Sequence, residues 1–205
     1  MIAPTAAPVI IATDPIQLRG DVATNLTEDE FFALCQQNPT LRIERLPDQT
    51  IVIMAPCWTE AGFQSGEAFL QLAVWNKRTR RGKTYDSSAG FTLLDRSVRS
   101  PDAAWLSHER IATLTVEQRQ KFWQVCPEFL IEVQSPSDSL PALREKMIAW
   151  VANGTRLAFL LSPPTETAWV YRADGSVDQL KSFDQTLSGE DVLPGFTLEL
   201  AELRG

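Results

Sequence analysis

Phe129-Leu130-Ile131-Glu132-Val133-Gln134 reads as a strand whose alternation turns Glu132 and Gln134 to one side and Ile131 and Val133 to the other. Apolar residues on both sides of Glu132 mark the strand, spanning about 128–134, as buried. An unpaired carboxylate in such a place is costly or changes its pKa; a bound metal ion stabilises it instead. The turn and cap residues Ser135-Pro136-Ser137-Asp138-Ser139 come next. A helix over 139–153 follows, with Leu140, Leu143, Met147, Trp150 and Val151 as its apolar face. Pro141 is tolerated in its first turn, and Gly154 suits the position just past its end. Leu157 to Leu161 is a second wholly apolar strand. Strand, helix and strand make a βαβ unit, so the two strands are expected to be parallel neighbours in a sheet covered on both faces.

Upstream, Ser100-Pro101-Asp102 leads into a short apolar strand, Ala103-Ala104-Trp105-Leu106. Before it, Lys83 to Leu94 reads as a strand or hairpin arm interrupted at residues 86–90. A longer helix is expected from Thr59 or Gly62 to Arg78, with Phe63, Leu70 and Val74 on one face and Glu60 and Glu67 on the same side. Glu67 either reaches water at the edge of this stripe or serves a site. Leu41–Leu46 and Ile51–Met54 form a hairpin around Pro47-Asp48-Gln49. Thr27-Glu28-Asp29-Glu30 is a capping box that opens a helix through about Gln37. Residues 1–25 are read as an irregular arm, and residues 26–205 as a single domain.

Downstream, 168–171 continues as a strand, Ala173-Asp174-Gly175 turns, and 177–181 pairs back. Residues 198–203 are a last strand or helix edge. Residues 107–127 are a polar insertion with a helical turn at 115–118.

Composition narrows the function classes. No stretch approaches the roughly 18 apolar residues of a membrane span. The apolar N-terminus lacks a basic region and contains Pro4 and Pro8, so it is read as a tail and not a signal peptide. Cys35, Cys57 and Cys126 are far apart and His108 is the lone histidine, which argues against zinc and a disulfide framework. These cysteines are expected to be reduced and buried in a cytoplasmic protein. A net charge of −7 argues against avid, sequence-independent nucleic-acid binding but leaves room for a local positive groove. Lys77, Arg78, Arg80, Arg81 and Lys83 are the dense basic run, either a solvated helix end or a phosphate-facing patch.

An aspartate after proline and a glutamate in a buried strand form the pattern of a magnesium-dependent phosphodiesterase. Magnesium takes oxygen ligands, keeps several waters and is held by one or two carboxylates. Asp102 and Glu132 are the candidate carboxylates, the carbonyl of Val133 a third oxygen, and Glu67 a holder of a bound water. A cation is also wanted at the phosphate. Position 134 is its direct place, but Gln134 brings no charge, and Lys146 on the next helix is the candidate replacement.

At these residues a resemblance enters. The run from Pro127 to Leu140, then Glu145-Lys146-Met147, Asn153-Gly154 and 157–163, resembles the "putative restriction endonuclease" family abundant in cyanobacteria, within the PD-(D/E)XK nuclease superfamily. Residues 42–45, 51–54, 86–88, 100–105 and 187–196 match as well, so the likeness covers roughly 25–203. It implies an α/β, restriction-endonuclease-like core: a central mixed sheet flanked by helices, here with an N-terminal helix and hairpin. It implies that Asp102 and Glu132 are the metal-binding acids, with Mg²⁺ or Mn²⁺ as cofactor, that Glu67 fits a helix glutamate, and that Lys146 matches a family position. It also implies DNA as partner and a homodimer cutting two strands. Gln134 departs from the superfamily lysine. The rival expectation is a nuclease fold that no longer cuts and serves as a nucleic-acid-binding or assembly module.

Overall fold

The computed structural model describes residues 15–20 and 25–204. The chain begins a first sheet with β1 (Ile16–Leu18), then, after helix α1 (Glu28–Gln37), adds β2 (Arg42–Arg45) and β3 (Ile51–Met54). Helix α2 (Thr59–Thr79) leads to β4 (Gly82–Asp86), an edge of the second sheet. The short strands β5 (Phe91–Thr92) and β6 (Val98–Arg99) return to the first sheet. β7 (Ala103–Ser107), the short helix α3 (His108–Ala112), β8 (Phe129–Val133), helix α4 (Leu140–Ala152), β9 (Leu157–Ser162), β10 (Thr167–Arg172) and β11 (Val177–Leu180) complete the second. β12 (Thr186–Ser188) and β13 (Thr197–Glu199) pair as a separate ribbon, and a 3₁₀ turn over Leu200–Arg204 follows.

The second sheet runs β11-β10-β9-β8-β7-β4, with β8 and β9 parallel and every other pair antiparallel. This is the mixed central sheet that the βαβ reading requires. Alternation sorts its strands between two cores. Phe129, Ile131 and Val133 pack with Ala68, Leu72 and Trp75 of α2. Leu130, Ala104 and Leu160 pack with Met147 and Trp150 of α4. Phe31, Ile43, Ile51 and Val98 form a third cluster between α1 and the first sheet.

Helix termini follow the local chemistry. Thr27 and Glu30 close the capping box on α1 with both reciprocal bonds formed. Pro141 sits in the first turn of α4, and Gly154, at φ +113°, takes the left-handed step that ends it. Gly82 opens β4 where a Cβ would lie 2.0 Å from the Leu106 carbonyl oxygen, so no side chain fits there.

Four expectations change. The arm over 1–25 contains β1, which pairs antiparallel with β3, Ile16 opposite Ile53; residues 1–14 and 21–24 lie outside the described residues. The stretch 83–94 is not one arm, because β4 and β5 join different sheets. On α2 the buried stripe is Ala61, Ala68, Leu72 and Trp75, whereas Phe63, Leu70 and Val74 face outward at 44, 52 and 37 % exposure. Small alanines let the helix lie close to the sheet, and Trp75 fills the gap beside Trp105 at a 5.8 Å ring separation. The cysteines also differ from expectation: Cys126 is buried, Cys35 half-buried and Cys57 exposed. Burial pushes the Cys126 thiol up to about 11, so it is an inert core residue.

Candidate active site

Asp102 stands at the entrance to β7. The register that pairs Ala103 with Ile131 sets Asp102 directly across from Glu132. Both have the parity of Ala104 and Leu130, so both belong to the α4 side of the sheet. Asp102 Oδ2 accepts the Val133 backbone N–H at 2.8 Å, so the carboxylate takes over the ladder where the β7 backbone stops. A residue in an antiparallel ladder turns its N–H and C=O toward the same neighbour. The Val133 carbonyl therefore projects to the Asp102 side as well.

Helix α4 brings the cation. Lys146 Nζ lies 2.8 Å from Glu132 Oε1, and Trp150, one turn on, donates its indole N–H to the same oxygen at 2.9 Å. The ammonium is also 3.5 Å from Glu44 Oε1 on β2. Glu44 accepts the Ser100 backbone N–H at 2.9 Å, which ties the first sheet to the segment before Asp102. From the same strand, Arg42 donates to the Ser100 carbonyl at 3.1 Å and places its guanidinium 3.8 Å from Asp102 Oδ1.

Two carboxylates, Glu132 and Glu44, thus hold one ammonium, with Asp102 across the strand from Glu132 and the guanidiniums of Arg42 and Arg99 at the margin. Burial pushes Glu132 up to about 7, Lys146 opposing the shift and Asp102 and Glu44 adding to it. Burial also raises Asp102, against the Val133 N–H, Arg42 and Lys146. Burial pulls Lys146 down, but Glu132 and Glu44 outweigh it and hold the ammonium above its ordinary value. The lysine stays charged, and the acid pair is short of positive charge near neutrality.

Each acid of that pair keeps one oxygen without a protein hydrogen bond among the described residues. Asp102 spends Oδ2 on Val133, and its Oδ1 meets only the Arg42 guanidinium at 3.8 Å; Glu132 spends Oε1 on Lys146 and Trp150 and leaves Oε2. Among the described residues no three His, Cys, Asp or Glu side chains form a ready-made metal cage. Magnesium does not need one, since one or two carboxylates plus water and substrate oxygens are its usual protein set. Two carboxylates and the Val133 carbonyl suit such a hard cation.

The structure brings Asp102, Glu132, Val133 and Lys146 together. Gln134 is half-buried beyond the end of β8, its amide donating to the Asp138 carbonyl at 3.2 Å. Glu67 is not joined to the cluster. It lies on α2, which covers the opposite face of the sheet, and accepts from Gln71 at 3.1 Å. The basic run 77–83 lies where α2 ends and β4 begins, beside Ser107, at the opposite end of β7 from Asp102. Glu44 and Arg42 escaped the sequence reading. Their strand, Arg42-Ile43-Glu44-Arg45, looks like any hairpin arm with a solvent face, and their partners at Ser100 and Lys146 are remote along the chain.

The architecture, a mixed sheet flanked by helices, is that of a restriction-endonuclease-like fold. A crystal structure titled as a putative nuclease belonging to DUF820, from Anabaena variabilis ATCC 29413, superposes with a TM-score of 0.71 at 19 % identity, over 87 % of this chain and 97 % of that one. The family model Uma2, described as "Putative restriction endonuclease", matches residues 28–201, and the chain belongs to that family. No curated protein matches it. Among the described residues no helix is long and apolar enough to cross a membrane.

Proposed function

We propose that the protein is a divalent-metal-dependent endonuclease that hydrolyses DNA phosphodiester bonds. The observation that carries this reading is the Asp102–Glu132 pair: cross-strand neighbours on one face, each with an oxygen to spare. Asp102 Oδ1, Glu132 Oε2 and the Val133 carbonyl would hold Mg²⁺, with Mn²⁺ as a substitute of similar ligand preference. Such an ion, when bound, polarises a phosphate oxygen and lowers the pKa of a coordinated water.

The chain's own groups do the rest. Lys146 compensates the acids and holds Glu132 Oε1, so the carboxylate is oriented before substrate arrives. Glu44 and Trp150 fix that lysine and that carboxylate in turn. Gln134, its amide N–H tied to the loop, offers its carbonyl oxygen to a water proton. Arg42 is 35 % exposed and sets its guanidinium 3.8 Å from Asp102, where a phosphate could meet it. Glu67 has no part in this arrangement.

The test is cleavage of supercoiled plasmid by the purified full chain with Mg²⁺ or Mn²⁺. Asp102→Asn and Glu132→Gln each lower the rate about 1,000-fold or more while the melting temperature stays within a few degrees. Lys146→Gln lowers it about 100-fold. Unchanged cleavage in either acid variant overturns the assignment.

A further inference from the structure

Three arginines of the first sheet, Arg42, Arg45 and Arg99, each enclose an Nε that has no hydrogen-bond partner among the described residues. Two of them are otherwise engaged. Arg45 donates to the Leu26 and Arg96 carbonyls and sets its guanidinium 4.8 Å from the centre of the Phe31 ring. Arg42 donates to the Ser100 carbonyl and approaches Asp102. Arg99 does neither. It is 8 % exposed, and none of its guanidinium nitrogens makes a hydrogen bond or ion pair among the described residues. Of these nitrogens only Nε is sealed from solvent, so the side chain is buried along its stem and open at its tip. A guanidinium held this far from water is costly unless an acceptor meets it.

Strand register sets its place. Arg45 pairs with Val98, which puts Glu44 across from Arg99, and Phe91 flanks Arg99 on β5. Val98 belongs to the α1 cluster and Phe91 to the α4 core, so Arg99 turns away from α1 and toward α4, as Phe91 does. There it is close enough to Lys146 for the two cations to repel. The nearby acids do not satisfy it. Glu44 is committed to the Ser100 N–H at 2.9 Å and to Lys146 at 3.5 Å. Asp95 is held by Ser97 and Asn153. We propose that Arg99 binds a backbone phosphate of the DNA beside Lys146, donating from its terminal nitrogens to the non-bridging oxygens. The proposal rests on the nuclease reading and adds a residue to it. The planar fork of a guanidinium matches two oxygens of one phosphate, which supplies the acceptor that the fold withholds.

The experiment is fluorescence anisotropy of a labelled DNA duplex with the purified full chain, Ca²⁺ replacing Mg²⁺, read over a range of salt concentrations beside thermal melts. Arg99→Met keeps an unbranched apolar stem and removes the charge. It is expected to weaken binding about 10-fold and to reduce the slope of log affinity against log salt by about 1. The melting temperature is expected to hold or rise, because a buried charge without a partner has gone. An arginine that serves only the fold gives the reverse, a lower melting temperature with affinity and slope unchanged, and that result overturns the proposal. So does wild-type affinity in Arg99→Met at any melting temperature, including where inorganic phosphate alone stabilises the wild type. If affinity and melting temperature both fall, Arg99→Lys decides: a restored salt slope supports the phosphate contact, and a slope that stays low overturns it. A wild type that binds the duplex but does not cut it with Mg²⁺ or Mn²⁺ overturns the nuclease reading alone, and one that does not bind overturns both.

Discussion

The two faces of β8 place neighbouring residues in opposite regimes. Phe129, Ile131 and Val133 meet only apolar surface under α2, where packing and dispersion do all the holding. One residue away, Glu132 meets an ammonium, an indole N–H and two further carboxylates under α4. The α2 face keeps the sheet together and is indifferent to protons. The α4 face gives up stability to keep acids close to one another. A strand buried on both sides can thus serve both purposes, because the pleat keeps them from mixing.

The sharpest way to break this comparison is truncation on the apolar face. Phe129 is fully buried and edge-on to Phe159 at 5.0 Å and Phe196 at 5.7 Å. Phe129→Ala is expected to cost about 3–5 kcal/mol in urea denaturation while cleavage per folded molecule changes little. A large loss of activity at full folding would show that the two faces are coupled.

Next in size is the pH response. An acid whose folded pKa is raised lends stability that is fully present below its unfolded value and is lost as the pH climbs through the folded one. For Glu132 that window runs from 4.5 to about 7, and Asp102 shifts in the same direction. Without divalent metal, the wild type is expected to gain on the order of 2 kcal/mol between pH 8 and pH 5, and Glu132→Gln to lose most of that dependence. Equal slopes in urea melts of the two proteins would refute the charged-face account.

The smallest effect belongs to Glu67, on the helix of the other face. Glu67→Gln is expected to leave plasmid cleavage within about 2-fold and stability within about 0.5 kcal/mol. A drop comparable to that of Asp102→Asn would bring α2 back into the site.

What was legible follows from pattern length. The unit β8–α4–β9 could be read because two predominantly apolar runs flank an amphipathic helix of thirteen residues that ends at Gly154, although Ser139 makes no side-chain cap bond at its start. Helix α2 was legible as a helix but not as a face, since it carries two apolar stripes. The choice between them depends on Ala61 and Ala68 fitting flat against a sheet that periodicity does not describe. β5 and β6, two residues each, are too short to announce themselves. The pairing of Asp102 with Glu132 was readable from residue type and order. Glu44 was not, because its role exists only once β2 of the first sheet lies against Ser100 and α4.

The hydrogen bond from the Val133 amide to Asp102 makes the sheet itself the gauge that spaces the two acids. Neither the loop after β8 nor the polar segment 108–127 enters that measurement. Lengthening, shortening or rewriting those loops leaves the separation of Asp102 and Glu132 fixed by hydrogen-bonded strands.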